Sequence, residues 1–231
     1  MSESAVFVGR NKQIGQLRCA YAERRDILLI GPSGIGKTAL LRQASHFFHL
    51  VLCEETSSLG RICENLERQS GWPHRKMNLI ERKNRLLAYL IGRAEPVAFD
   101  ALALTPPRVA RFIQKLIERV PVWIACRSSQ PKQIGAVWQH LQHFERIDLG
   151  PFLPNETADL IRAAVSAGRI ATSTANQMRQ LHRIAGGNPR AVEELLNELS
   201  SRGYRLENAF DRKLLELDRR IHNAAATVAA P

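Results

Sequence analysis

The chain has 231 residues, 45% hydrophobic and 24% charged, which is the composition of an ordinary globular protein able to bury a sizeable core. No apolar run is long enough to cross a bilayer, the N-terminus has no secretion signal, and the four cysteines are dispersed, so we expect a cytoplasmic protein without disulfides or structural metal. The net charge of +11 favours contact with a polyanion such as nucleic acid, although an arginine-rich solvated surface would give the same value.

The first predicted strand, at 27–30, runs into a Gly-rich stretch at 31–38 that fits G-x-x-x-x-G-K-[ST], and a helix-like segment follows. Strand, loop and helix in this order are typical of a phosphate-binding loop, whose backbone N–H groups and helix N-terminus converge on phosphate oxygens. Lys37 would reach the β- and γ-phosphates, and the Thr38 hydroxyl would bind Mg²⁺. The sequence therefore predicts binding of a nucleoside triphosphate. The contact residues would be Pro32, Ser33, Gly34, Ile35, Gly36, Lys37, Thr38 and Ala39.

Further short apolar runs predict buried strands at 50–53, 96–99 and 121–126, with a weaker one at 146–149. Helix-length segments separate these runs, and residues 109–120 show a clear 3.6-residue apolar period. This alternation predicts an α/β fold with a parallel sheet sandwiched between helices.

Asp100 closes the third strand, and an acid at a strand's carboxyl end lies where ligands bind in open α/β sheets. Phosphoryl transfer needs such a carboxylate near Mg²⁺, so we predict that Asp100 holds the metal's water shell, with a turn-capping role as the alternative. The next residue, Ala101, has no group that could orient or deprotonate water. Glu54 and Glu55, after the second strand, could supply such a group or could be capping or solvated residues.

Beyond residue 150 the apolar strands stop and the pattern becomes helical. Amphipathic helices are predicted at 154–167, 172–185, 189–202 and 207–221. The expected organisation is a nucleotide-binding α/β domain at 1–150, a small all-α lid domain at 151–222 and a disordered tail at 223–231.

The order of these motifs resembles the AAA+ superfamily of P-loop NTPases, in particular the STAND-type and origin-recognition-like branch with its relatives among transposition helper ATPases. The resemblance covers about residues 5–200. Its other segments are F-V-G-R-x-x-x-I-x-x-L at 7–17, the strand end at 124–128, the linker at 149–156 and the sensor-2 region at 185–190. It implies that ATP and Mg²⁺ are bound. Proteins of this family usually have a second acid directly after the aspartate that ends the third strand, and this chain has Ala101 there, so we expect slow hydrolysis.

The resemblance also implies roles for residues outside the phosphate-binding loop. Val8, Gly9 and Arg10 would pack beside the adenine, and Pro189 and Arg190 would contact the nucleotide from the lid. Arg127 would be a sensor-1 residue and act with Lys37 and Asp100 in catalysis. The alternatives are a surface arginine for Arg10, a structural ion pair for Arg127 and an ordinary helix start for Pro189.

As a function, the resemblance implies an ATPase that works as a nucleotide-dependent switch, forms a homo-oligomer and assembles on DNA. The basic side chains between 61 and 93, with Trp72 and Tyr89 among them, are candidates for gripping the DNA backbone, although alternating glutamates also fit solvated helices. Arg146 could serve a neighbouring subunit as an arginine finger or simply solvate an edge. A STAND-type switch with a protein partner, and a secretion or defence ATPase without DNA binding, remain as alternatives.

Overall fold

A computed structural model describes residues 7–69 and 77–202, together with 208, 211, 213, 214 and 217. The described residues form a five-stranded sheet in the order β2-β3-β4-β1-β5, with every pair parallel. The strands are β1 (Ile27–Ile30), β2 (Val51–Cys53), β3 (Val97–Phe99), β4 (Val122–Cys126) and β5 (Glu145–Asp148). The predicted parallel α/β sheet is thus confirmed.

Helices connect consecutive strands and cover the sheet. They are α1 (Asn11–Ala22), α2 (Lys37–Phe47), α3 (Leu59–Gln69), α4 (Leu79–Arg93), α5 (Pro107–Ile117) and the short α6 (Pro131–Ile134), with a 3-10 turn at Trp138–His140. The central strands are buried on both sides, and Ile27, Phe99 and Trp123 are each 0% exposed. Burial of apolar residues on both faces explains why these strands read as continuous apolar runs rather than alternating ones.

The strand registers bring several loops to one edge of the sheet. Ile30 pairs with Cys126 on one side and Asp148 on the other, while Cys53 pairs with Phe99. Because all strands are parallel, the segments that follow them emerge at the same carboxyl edge, where ligands bind in folds of this class.

A separate group of helices follows the sheet: α7 (Pro154–Ser166), a 3-10 segment (Thr172–Gln177), α8 (Met178–Ala185) and α9 (Pro189–Arg202). The single helix predicted at 172–185 is therefore wrong in its first part. The run T-S-T-A-N-Q is rich in side chains that compete for backbone hydrogen bonds, which disfavours an α-helix there. Only five isolated positions of the predicted helix at 207–221 are described, and the tail at 223–231 lies outside the described residues.

The described residues divide into two compact units, one spanning 10–150 and one combining 7–9 with the residues after 150. Residues 7–9 were expected in the α/β domain, whereas they group with the helical unit. Val8 packs against the apolar core of the helical unit. The backbone of Gly9 runs so close to Glu156 that an added Cβ would lie 2.9 Å from Oε1. No helix in the described part of the chain is both long and apolar enough to cross a membrane.

Candidate functional site

The Gly-rich loop after β1 has a backbone that only glycine adopts readily. Gly34 and Gly36 have φ of 77° and 98°, and Gly36 is the N-cap of α2. Gly31 is required for a different reason, because a Cβ there would lie 2.7 Å from the Leu149 carbonyl oxygen and 2.9 Å from a methyl group of Ile35. The loop is therefore held tightly between β5 and its own turn before it enters the helix.

Gly31→Ala should destabilise the protein by about 1–3 kcal/mol, because the added methyl group overlaps a backbone atom that has no free direction in which to move. Chemical denaturation of the two proteins measures this difference. Gly15→Ala in α1 is the matched control, since nothing lies within 4 Å of its Cβ position. There we expect no loss, or a gain of up to about 1 kcal/mol. Equal stability of the Gly31 variant and the native protein would contradict this tight packing.

Lys37 is 8% exposed and its ammonium group lies inside the loop. Nζ donates to the carbonyl oxygens of Gly31 at 2.5 Å and Pro32 at 2.8 Å. Burial lowers the pKa of Lys37, and the negative charge of Asp100 opposes that shift. A cation held among carbonyl groups, next to a helix N-terminus, forms a site suited to a polyanionic ligand.

Thr38 and Asp100 meet across the sheet edge, where Thr38 Oγ1 donates to Asp100 Oδ2 at 2.6 Å. Asp100 is 5% exposed, and within the described residues its Oδ1 has no hydrogen-bond partner. A buried carboxylate oxygen without a partner is costly unless a ligand satisfies it. Hydroxyl and carboxylate oxygens are the donors that Mg²⁺ prefers, so the residues present fit that ion.

The loop after Asp100 begins with Ala101, which has no acidic group. Ala101 is exposed and has a left-handed backbone, with φ of 51°. Glu54, a candidate replacement, accepts two hydrogen bonds from Arg42, at 2.6 Å and 3.0 Å, which lower the pKa of Glu54. A carboxylate engaged in this way is a weaker base. Glu55, the other candidate, is exposed.

Arg10 is 4% exposed, although it is a long charged side chain preceding α1. Its Nη2 donates to the carbonyl oxygens of Ile35, at 3.0 Å, and of Gly150, at 2.7 Å. The guanidinium therefore ties the Gly-rich loop to the end of the α/β unit. Of the other residues predicted to pack beside the base, Val8 and Gly9 belong to the helical unit.

Arg127 follows β4 and is exposed, and its positive charge is one of the causes that lower the pKa of Lys37. In the helical unit, Pro189 is the first residue of α9. The side chain of Asn188 accepts from the Arg190 N–H at 3.1 Å, and Arg190 Nε donates to Glu194 at 2.9 Å. These contacts account for the start of α9 without a ligand.

Several predicted polyanion contacts are already paired. Arg61, Arg82 and Arg93 form ion pairs with Glu64, Glu67 and Glu95, respectively. Arg146 donates to both oxygens of Asp148 on the same edge strand. Tyr89 accepts from Arg93 at 2.9 Å, while Trp72 lies outside the described residues.

Two residues at the sheet edge were not singled out from the sequence. Arg42 lies one helical turn after Thr38, and the two side chains bond to Glu54 and Asp100, which follow neighbouring strands. The i, i+4 spacing of Thr38 and Arg42 could have indicated that both face the same sheet edge. Thr56 Oγ1 donates to the backbone carbonyl of Asp100 at 3.1 Å. No pattern in the sequence marks Thr56, since its partner is 44 residues away.

No family model and no curated protein sequence matches the chain. Among solved structures, Cdc6p from Pyrobaculum aerophilum superimposes with a TM-score of 0.66 at 16% identity, covering 87% of this chain and 64% of that one. Orc1 of Aeropyrum pernix in complex with DNA has a TM-score of 0.60 at 14% identity, covering 93% of this chain and 66% of that one. A Pyrococcus horikoshii STAND protein with a tetratricopeptide repeat sensor has a TM-score of 0.53 at 16% identity, covering 93% of this chain and 33% of that one. The chain therefore spans no more than about two thirds of the length of these proteins.

Proposed function

Since the chain has the fold of the AAA+ P-loop NTPases, we propose that it binds ATP with Mg²⁺ and hydrolyses it slowly, as a nucleotide-dependent switch that assembles on DNA. The observation that carries the nucleotide part is the Thr38–Asp100 pair, whose buried Oδ1 has no partner in the described part of the chain. It lies at the end of a loop whose glycines at 34 and 36 give the backbone the left-handed turns with which such loops surround a phosphate chain.

In this proposal each residue has one task. Lys37 exchanges its two loop carbonyls for phosphate oxygens, while Thr38 and Asp100 hold the metal ion and its water shell. Bound Mg²⁺ supplies charge neutralisation on the phosphates. Arg127 contacts the γ-phosphate from the end of β4 with a guanidinium that can form two parallel hydrogen bonds.

The remaining proposed contacts are to the base and from the helical unit. Val8 and Gly9 pack beside the adenine, and Arg10 supports that site by holding the loop in place. Pro189 contacts the base and Arg190 a phosphate. For this contact Arg190 must leave its ion pair with Glu194. The pair is exposed and lies at i, i+4, so breaking it costs little.

Slow hydrolysis is expected because, in the part of the chain that the structure describes, neither Ala101 nor Glu54 is placed beside Asp100 as a free base. The side chain of Ala101 cannot accept a proton, and Glu54 is engaged by Arg42. A protein that holds ATP for a long time before cleaving it suits a switch, because the ATP-bound state then lasts long enough to be read by a partner.

Assembly on DNA, with several copies of the chain, is supported by the net charge of +11 and by the similarity to Orc1, which was solved in complex with DNA. The alternative, a switch that recognises a protein partner, is supported by the missing second acid together with the similarity to a STAND protein. Polyanion binding distinguishes the two, because it depends strongly on salt.

Duplex DNA should be retarded in a gel at about 50 mM salt with ATP and Mg²⁺ present, and the retardation should weaken steeply at about 200 mM. The same assay with ADP in place of ATP should show weaker binding if the protein is a nucleotide-dependent switch. Absence of a shift at low salt with ATP would remove DNA from the proposed function and leave the protein-partner switch.

A further inference from the structure

Helix α5 and the turn after it carry four exposed cations along one side: Arg108, Arg111, Lys115 and Arg119. Their spacing of three, four and four residues places them one above another, as neighbours on a helix surface. The eleven steps from Arg108 to Arg119, at a helical rise of about 1.5 Å each, give the line a length of roughly 16 Å. We refer to these four residues as the α5 cation line.

The α5 cation line is unpaired, unlike most arginines described above. Within residues 7–69 and 77–202, none of its four side chains forms an ion pair or a hydrogen bond. The nearest acid along the helix, Glu118, accepts a long hydrogen bond of 3.5 Å from Gln114 instead. The line therefore presents an uncompensated positive charge to solvent.

Helix stability does not explain these residues. The first turn of α5 contains no acidic residue, although acids are favoured there, and Arg108 and Arg111 lie near the positive end of the helix dipole. Lys115, in the last turn, and Arg119, just past the helix end, lie where the dipole favours a cation, so the dipole leaves Arg108 and Arg111 unexplained. Like charges at i, i+3 and i, i+4 also repel each other, so the line destabilises the free protein until an anion compensates it.

From these observations we propose that the α5 cation line binds the phosphate backbone of duplex DNA. This inference rests on the DNA-binding part of the proposed function and names the surface that carries it. Cations spaced regularly along a rod match a regular array of phosphates, and such contacts need no apolar surface.

The chemistry of this surface favours duplex DNA over the other polyanions. A protein partner would bury an apolar centre, but the exposed large apolar residues of the described chain all lie outside 107–119. Binding of single strands depends on aromatic stacking, and Phe112, the aromatic residue of α5, is 1% exposed.

The position of α5 links this surface to the nucleotide site. The connection from Asp100 to α5 is short and held by backbone hydrogen bonds from Leu102 to Ala125 at 2.9 Å, Leu104 to Gln133 at 2.9 Å and Thr105 to Ile134 at 2.8 Å. A displacement of α5 by DNA would therefore act on a segment that is hydrogen-bonded along its length and begins at Asp100.

The test compares the double variant Arg111→Gln/Lys115→Gln with the control Lys12→Gln/Arg18→Gln, which removes two exposed cations of α1 that form no ion pair within the described chain. Binding of a random-sequence DNA duplex is measured by fluorescence anisotropy with ATP and Mg²⁺, from about 50 to 200 mM salt. The quantity compared is the slope of log K against log salt concentration. Loss of two phosphate contacts should make this slope shallower by about 1.8, so the loss of affinity between about 50 and 200 mM salt should be about 12-fold smaller than for the native protein. The control should retain the native slope.

Thermal unfolding and ATP affinity serve as checks on the fold. The α5 variant should melt at the same temperature as the native protein or higher, because repulsion is removed, and should bind ATP as the native protein does. If the native protein binds no duplex DNA, the DNA part of the proposed function fails and this inference fails with it. If the native protein binds DNA and both double variants have the same slope, only the α5 assignment is overturned. Binding of acidic lipid vesicles but not of DNA would also overturn it.

Discussion

Replacing Lys37 with alanine should weaken Mg²⁺-ATP binding by about 10- to 150-fold, the value of a lost charge-assisted hydrogen bond of about 1.5–3 kcal/mol. The ammonium group is buried in the loop, and among the described residues its partners are two carbonyl oxygens, so it can turn to a phosphate chain without breaking an ion pair there. Isothermal titration calorimetry with ATP and Mg²⁺ measures the change directly. Lys37→Met, which keeps most of the side-chain volume, should show a similar loss.

Two controls separate loss of the phosphate contact from loss of the fold. Lys12→Ala removes an exposed lysine from the same unit and should leave ATP affinity unchanged. Thermal unfolding of the Lys37 variants without nucleotide reports their folding. An Lys37→Ala protein that is folded and binds ATP as tightly as the native protein would refute the proposed nucleotide site.

Installing an acid with Ala101→Glu should raise the ATP hydrolysis rate by about 10²-fold, the lower end of what a positioned general base contributes. Residue 101 is exposed, so the longer side chain meets no packed core there. Its left-handed backbone is already strained with alanine, and glutamate adds little further cost. The measurement is phosphate release at saturating ATP and Mg²⁺.

Ala101→Gln is the matched control, because glutamine has the same size and reach but cannot take up a proton. It should hydrolyse ATP at the native rate, and both variants should bind ATP as the native protein does. A native protein that already releases phosphate as fast as the Ala101→Glu variant would show that another group activates water, and the proposed slow switch would be wrong.

The local patterns of this chain were sufficient for its strands and its fold class, but not for every helix. The loop at 31–38 was recognisable because its glycines and its lysine have to occupy fixed positions for the backbone to surround phosphates, and Asp100 because it ends a short apolar strand. The resemblance to AAA+ proteins, built from the order of such motifs, is confirmed at the level of the fold. The segment at 172–177 was wrong because its hydrophobic pattern suits a helix while its polar side chains do not.

Pairing of charges could not be read from the chain. Basic residues between 61 and 93 and those on α5 look alike in sequence, yet Arg61, Arg82 and Arg93 have carboxylate partners and the α5 cation line has none within the described residues. The partner of Arg42 is Glu54, at the end of another strand. Which cations remain available to a ligand depends on such distances between elements.

By itself, the sequence determined a Gly-rich loop between a strand and a helix, a parallel sheet and a following helical segment, because these depend on residues that are neighbours along the chain. Three contacts were decided by the tertiary structure alone: Thr38 donates to Asp100, Arg10 donates to a carbonyl of the Gly-rich loop, and Arg42 donates to Glu54. Each of these contacts joins the ends of elements that strand order and register bring together, and neither order nor register is encoded in any single segment.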